Sequence, residues 1–137
     1  MRYVDELIEL LLNEDFNGVY ELTKKIKLES TPQKYFPKIF EVMENHPYID
    51  YGMPGPIVHF MESYYKNGYE NELIYSLKRM PTEHTVWMAN RILNDPTYSG
   101  REELIGILQD SLVREDVNEG LKDSIKKFLK YQERKQE

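Results

Sequence analysis

The sequence predicts an all-α fold with about eight helices, for three reasons. Apolar residues recur at the three- and four-residue spacing of amphipathic helices along almost the whole chain. The strict alternation of apolar and polar residues that marks half-buried strands is almost absent. Prolines, asparagines and glycines separate the periodic segments, where helices are expected to begin and end.

The first three helices follow one another closely. The first is predicted over 2–13 and the second over 16–28, because each segment has one apolar face. The third is predicted over 32–45, since Thr31 and Pro32 resemble an N-cap followed by proline at the first helical position. Pro37 stands early in this segment, where a proline can delay the start of a helix.

One long irregular stretch comes next. Residues 46–56, HPYIDYGMPGP, contain three of the seven prolines and two of the seven glycines, so they are predicted to form a loop. A loop of this length is unusual in a helical domain and favours a functional role. The fourth helix is predicted over 56–67, with Pro56 at its first position and Gly68 at its end.

The last four helices are separated by short connections. Pro81 and Thr82 open the sixth helix, and the sequence Asn94-Asp95-Pro96 closes it. These four helices are predicted over 69–80, 82–94, 99–115 and 117–133. Short connections make neighbouring helices antiparallel, so the eight helices are expected to stack as helical hairpins in an α-solenoid within one domain, 1–137. A compact orthogonal bundle is the alternative arrangement.

Composition excludes several classes of protein. The 137 residues include 18 Lys and Arg against 24 Asp and Glu, a formal charge of −6, and no cysteine. Disulfide scaffolds and cysteine nucleophiles are therefore excluded. No apolar run is long enough to span a membrane, and the acidic balance argues against direct nucleic-acid binding. We expect a cytoplasmic protein without membrane association.

Motifs for catalysis are absent from the sequence. The histidines His46, His59 and His84 stand in no metal-binding pattern, and the glycines form no phosphate-binding loop. The sequence therefore predicts a non-enzymatic protein without cofactor or metal. The alternative is an enzyme whose catalytic groups converge from distant helices.

An acidic, tyrosine-rich segment is the first candidate surface for a partner. Residues 39–65 contain four acidic residues and four tyrosines but no Lys or Arg. Tyrosine beside carboxylate is suited to a basic protein surface. The candidate contact residues in this segment are Asp50, Tyr51, His59 and Glu62. The alternative is a structural loop whose tyrosines pack inward.

The only tryptophan gives the second candidate surface. Trp87 lies outside the apolar arc of the sixth helix and shares a polar face with Arg91, one turn later, which is expected to lie over the indole. Trp and Arg are frequent anchors of interfaces, so both residues are candidate partner contacts. The alternative is a tryptophan covered by a neighbouring helix.

Two strings of the sequence resemble a known class of protein. YGMPGPIVHFME, from Tyr51 to Glu62, and SLKRMPTEHTVWMANRILND, from Ser76 to Asp95, are similar to helical bacterial immunity proteins carried beside polymorphic or contact-dependent toxins. The resemblance covers about 35–110. It implies HEAT-like helical hairpins and a cytoplasmic inhibitor of one cognate toxin, often a nuclease.

These observations lead to one functional hypothesis and one alternative. The chain is expected to bind a cognate protein toxin, as a monomer or a homodimer, and to neutralise it through an acidic, tyrosine-rich surface. The alternative is a non-enzymatic adaptor or structural subunit of a larger assembly, in which Trp87 would pack against another copy.

Overall fold

Eight α-helices and a single 3-10 turn make up the regular structure of residues 1–135, the part of the chain that the computed structural model describes. These residues contain no strand, so the all-α class is confirmed. The helices are α1 Val4–Leu12, α2 Phe16–Ile26, α3 Phe36–Asn45, α4 Pro56–Glu62, α5 Tyr69–Arg79, α6 Glu83–Leu93, α7 Arg101–Ser111 and α8 Glu119–Lys135.

The chain divides into two compact units, 1–72 and 73–137, which we call unit 1 and unit 2. In unit 1, α1 packs against α2 and α3, and α2 packs against α4. This pairing of first with third and second with fourth is the one expected of two stacked hairpins. In unit 2, helices α6, α7 and α8 pack against one another. A solenoid along the whole chain, and a single domain over 1–137, stay predictions.

Unit 1 begins with a close hairpin of two helices. Asp15 is the N-cap of α2, and its side chain accepts a hydrogen bond of 2.8 Å from the Gly18 amide. A Cβ on Gly18 would lie 2.6 Å from Leu10 Cδ2 and 2.8 Å from Asp15 Oδ2, so a larger residue here would require these side chains to shift.

The third predicted helix is two elements in the structure. Pro32–Tyr35 form the 3-10 turn, and α3 begins only at Phe36. Pro37 stands in the first turn of α3 and has no N–H to continue an α-helical ladder from the preceding residues. The helix predicted over 32–45 therefore ends at Asn45 as predicted, and its start is delayed to Phe36, as the position of Pro37 allowed.

The fourth helix ends five residues earlier than predicted. After Glu62 the chain makes tight turns, in which Lys66 and Gly68 have positive φ angles of 71° and 110°. The Lys66 amide donates a 2.7 Å hydrogen bond to the Glu70 carboxylate, which replaces the helical hydrogen bond it would otherwise make. The seventh helix is also shorter than predicted, ending at Ser111.

Candidate functional site

The loop between α3 and α4, residues 46–55, is anchored from inside by Tyr51. This side chain is only 2% exposed, and its hydroxyl donates to the backbone carbonyls of His46, at 2.8 Å, and Val42, at 3.3 Å. Burial, with a smaller contribution from the Glu14 carboxylate, raises the pKa of the Tyr51 hydroxyl well above its usual range. Tyr51 was predicted to contact a partner, but the structure places it in the core, where it holds the loop.

A second set of hydrogen bonds fixes the tip of this loop. Glu14 Oε1 accepts from the Asp50 amide at 3.0 Å, and Asp50 Oδ1 accepts from the Gly52 amide at 2.8 Å. Gly52 has a φ of 85°, and a Cβ there would collide with the backbone of Gly55. The loop is therefore held in one conformation without belonging to a helix.

The fixed loop exposes two large side chains. Tyr48 is 94% exposed and Met53 is 64% exposed, and Asp50 is exposed between them. Exposed aromatic and methionine side chains on an ordered backbone are typical of protein interfaces. Tyr51 was the predicted contact, and not Tyr48 or Met53, because a loop has no periodicity from which the direction of a side chain can be predicted.

A shallow depression with a mostly apolar lining lies beside the loop. Glu14, Asp15 and Asp50 supply its carboxylates, Phe16 is one of its apolar residues, and its volume is about 10 Å³, room for about one water molecule. No small molecule fits there. Three carboxylates around a partly exposed phenylalanine instead suit a cationic side chain of another protein.

His59 lies in a different place, a groove between α2 and α4. The groove has a volume of about 480 Å³, and Pro54 of the loop and Pro56, the first residue of α4, line it. His59 is exposed there, as a residue on the polar face of its helix should be. Glu62, the last residue of α4, is half-buried and lines neither the depression nor the groove.

The two remaining candidates belong to unit 2. The Arg91 guanidinium carbon lies 5.2 Å from the centroid of the Trp87 ring, so the predicted cation–π contact is confirmed. The His84 ring lies on Trp87 with a centroid distance of 5.3 Å and a tilt of 47°. Trp87 and Arg91 are half-buried and His84 is buried, so part of this stack belongs to the packing of α6.

Unit 2 also has a polar pocket of about 310 Å³, between α7 and α8. The Gln132 side chain lines it but is itself 1% exposed, because its amide donates to Asn90 Oδ1 at 2.8 Å and Asn94 Oδ1 at 3.0 Å. Arg101 also lines the pocket and donates to the Leu93 carbonyl at 2.7 Å. These groups are used to join helices, so the pocket is a structural feature of unit 2.

Further observations bear on other classes of function. Within residues 1–135, no group of three or more His, Asp or Glu side chains is placed to hold a metal ion. No helix in this range has the length and apolar character needed to cross a bilayer. Comparison with protein-family models, with curated proteins and with solved structures finds no match to this chain.

Proposed function

We propose that this chain is a bacterial immunity protein that binds and neutralises a cognate toxin in the cytoplasm. The two strings from Tyr51 to Glu62 and from Ser76 to Asp95 support the proposal by their resemblance to such proteins. An inhibitor of this kind needs a specific surface and no catalytic group. The partner is a protein, and the function is non-enzymatic.

The observation that carries the proposal is the fixed loop that exposes Tyr48 and Met53. Tyr51 and Glu14 hold its backbone by hydrogen bonds, so little conformational entropy is lost when a partner binds. Tyrosine is a frequent source of binding energy at interfaces, because its ring offers a large rigid contact and its hydroxyl a hydrogen bond. In this proposal Tyr48, Met53 and Asp50 contact the toxin, and Tyr51 positions them.

Charge supports a nuclease as the class of toxin. Unit 1 contains 13 acidic and 7 basic residues, a formal charge of −6, and Asp50, Glu14 and Asp15 lie beside the exposed loop. A nuclease is basic where it holds nucleic acid, so an acidic surface is attracted to that region and increases the rate of association. Occupation of the basic surface would block access of the nucleic acid.

The other predicted contact residues are also part of the proposal. His59 is exposed beside the loop and is a further candidate contact, while Trp87 and Arg91 are candidate contacts on unit 2. Glu62 is half-buried at the end of α4 and is the weakest candidate of this set. We propose one chain per toxin, with the homodimer as the alternative.

Co-expression tests this function. The open reading frame immediately upstream is expressed with and without this protein, and growth is scored. We expect the neighbour to kill and this protein to restore growth. In a binding assay with the toxin, the double variant Tyr48→Ala, Met53→Ala should bind about ten- to thirtyfold more weakly than the unmodified protein.

Tyr75→Ala is the matched control, because Tyr75 is an exposed tyrosine of α5, 53% exposed, outside the loop. It should leave the affinity unchanged. A harmless neighbour, or killing that this protein does not relieve, would overturn the immunity proposal in favour of an adaptor or structural subunit. Sedimentation over a range of concentrations then tests for the homodimer.

A further inference from the structure

The groove between α2 and α4 has a charge opposite to that of its surroundings. Lys24 and Lys27 line it, and no Asp or Glu is among its lining residues, although unit 1 has a formal charge of −6. His59 lies on the opposite, α4 side. A cationic groove on an acidic unit points to an occupant of negative charge.

The apolar part of the groove also restricts the kind of occupant that can bind. Tyr20, 51% exposed, supplies the accessible aromatic surface, since the Phe60 ring that also lines the groove is only 3% exposed, and Pro54 and Pro56 supply a rigid wall. The volume of about 480 Å³ is large enough for two or three side chains of a peptide. Such a groove favours an occupant that combines an aromatic side chain with its negative charge.

One of the two ammonium groups is already oriented. Lys24 Nζ lies 3.3 Å from Glu21 Oε2 and 4.7 Å from the centroid of the Tyr20 ring. These contacts hold the ammonium beside the aromatic wall. Lys27 is exposed just after α2 and has no ion pair among residues 1–135, so its charge is available to an occupant.

We propose that this groove binds a segment of a protein partner in which a carboxylate side chain stands next to an aromatic one. The segment lies against Tyr20, and its carboxylate pairs with Lys27, since Lys24 is already paired with Glu21. This inference rests on the proposed function in one respect, that the partner is a protein. The groove itself is tested without the toxin.

The groove and the acidic depression lie toward opposite ends of α2. Asp15 precedes the helix and Lys27 follows it, about 18 Å away at the helical rise of 1.5 Å per residue. A partner with a basic group and an acidic group at this separation would satisfy both sites in only one orientation. The pair of sites therefore gives specificity, since the reversed orientation places like charges together.

The test uses the purified chain and two capped tripeptides, acetyl-Glu-Phe-Glu-amide and acetyl-Gln-Phe-Gln-amide. Binding is followed by NMR chemical shifts of the backbone amides. We expect the acidic peptide to shift the amides of Tyr20, His59 and Phe60 with millimolar affinity. The neutral peptide should bind at least threefold more weakly, because it lacks the ion pairs.

Lys27→Gln and Lys25→Gln are a matched pair of variants. Both remove one exposed lysine at the end of α2, but only Lys27 lines the groove. Lys27→Gln should weaken binding of the acidic peptide about threefold, and Lys25→Gln should not. The two should lower the melting temperature equally, because both lysines interact with the same end of the helix dipole.

Each outcome decides the proposal. The proposal would be overturned by chemical shifts confined to other residues or by equal binding of both peptides. An equal loss of peptide affinity in both lysine variants would also overturn it, because the lysines would then serve only α2. Toxin neutralisation is measured separately. If the groove does not bind the peptide but the toxin is still neutralised, only this inference is wrong. If the groove binds the peptide but the toxin is not neutralised, the groove remains a peptide-binding site and the immunity function is wrong.

Discussion

Each of the two units of this chain is stabilised internally by a different kind of interaction. Unit 1 contains eight of the eleven tyrosines and four of the five phenylalanines, and its core contains a cluster of aromatic rings beside aliphatic residues such as Leu7 and Ile26. Phe36 is fully buried and makes edge-to-face contacts with Phe60 and Tyr64, both at centroid distances of 5.7 Å, and with Tyr69 at 6.5 Å. Such contacts add to the hydrophobic stabilisation of the buried rings.

Unit 2 relies more on polar side chains that bond to the ends of helices. Arg101 donates to the Leu93 carbonyl at the end of α6, and Arg114 donates to the carbonyls of Lys78, at 2.9 Å, and Arg79, at 3.0 Å, at the end of α5. These carbonyls have no partner within their helices, so a charged donor stabilises them.

This difference in stabilising interactions accounts for the different net charges of the two units. Unit 2 has 11 acidic and 11 basic residues and a formal charge of zero, and Arg101 and Arg114 are used for the fold. The aromatic cluster of unit 1 contains no charged group. Unit 1 therefore carries its excess of carboxylates outside the aromatic cluster, although Glu29 and Glu14 accept hydrogen bonds from the Tyr35 hydroxyl and the Asp50 amide.

The largest effect is expected at the centre of the aromatic cluster. Phe36→Ala removes the ring shared by all three edge-to-face contacts and leaves a cavity, so the free energy of unfolding should fall by about 3–5 kcal/mol. Urea unfolding measures it. Phe16→Ala, at a partly exposed phenylalanine of α2, is the control and should cost under about 1 kcal/mol. Equal losses in both variants would mean that the aromatic cluster does not hold unit 1.

A smaller loss is expected in the polar network of unit 2. Gln132→Met keeps the length of the side chain but leaves Asn90 and Asn94 without the amide donor, so the free energy of unfolding should fall by about 1–3 kcal/mol. Gln109→Met, at an exposed glutamine of α7, is the matched control and should change little. If Gln132→Met instead stabilised the protein, apolar packing would dominate in unit 2 as well.

The sequence predicted those features that depend on neighbours along a helix. The Arg91 contact with Trp87 follows from a four-residue spacing, and the eight helices follow from long apolar periodicities. The boundaries were less accurate, because hydrogen bonds decide them locally. The fourth helix ends where the Tyr64 and Tyr65 amides bond three residues back, to the carbonyls of Met61 and Glu62. The later capture of the Lys66 amide by Glu70 has no signature in the sequence.

The sequence indicated the segment that carries the candidate surface but not which of its side chains are exposed. Sequence composition located it in the acidic, tyrosine-rich segment, yet the choice between Tyr48 and Tyr51 depends on which hydroxyl reaches the carbonyls of His46 and Val42. That choice is made by packing between α3 and the loop. The groove was also missed, since Lys24 and His59 are 35 residues apart and meet only in the folded unit.

The smallest effect is a dependence on pH in unit 2. Asp116 accepts two hydrogen bonds from Arg114, at 2.8 and 2.7 Å, and the hydrogen bonding lowers the pKa of this carboxyl. A carboxyl with a lowered pKa stabilises the fold above its pKa in the unfolded chain, about 3.9, and loses that contribution as the pH falls through the lower folded value. The Asp116→Asn variant lacks the contribution at every pH.

The urea midpoint of Asp116→Asn should therefore lie slightly below that of the unmodified protein at pH 7, and the difference should close as the pH falls below about 4. The difference at pH 7 should also shrink in 1 M salt, because both side chains are partly exposed and the pair is screened. Asp110→Asn, at an exposed aspartate of α7 without an ion pair among the described residues, is the control. A difference that persists unchanged to pH 2.5 would show that Asp116 acts through its shape and not through its charge, and the contrast between an aromatic unit and a charge-capped unit would then be weaker at this end of α5.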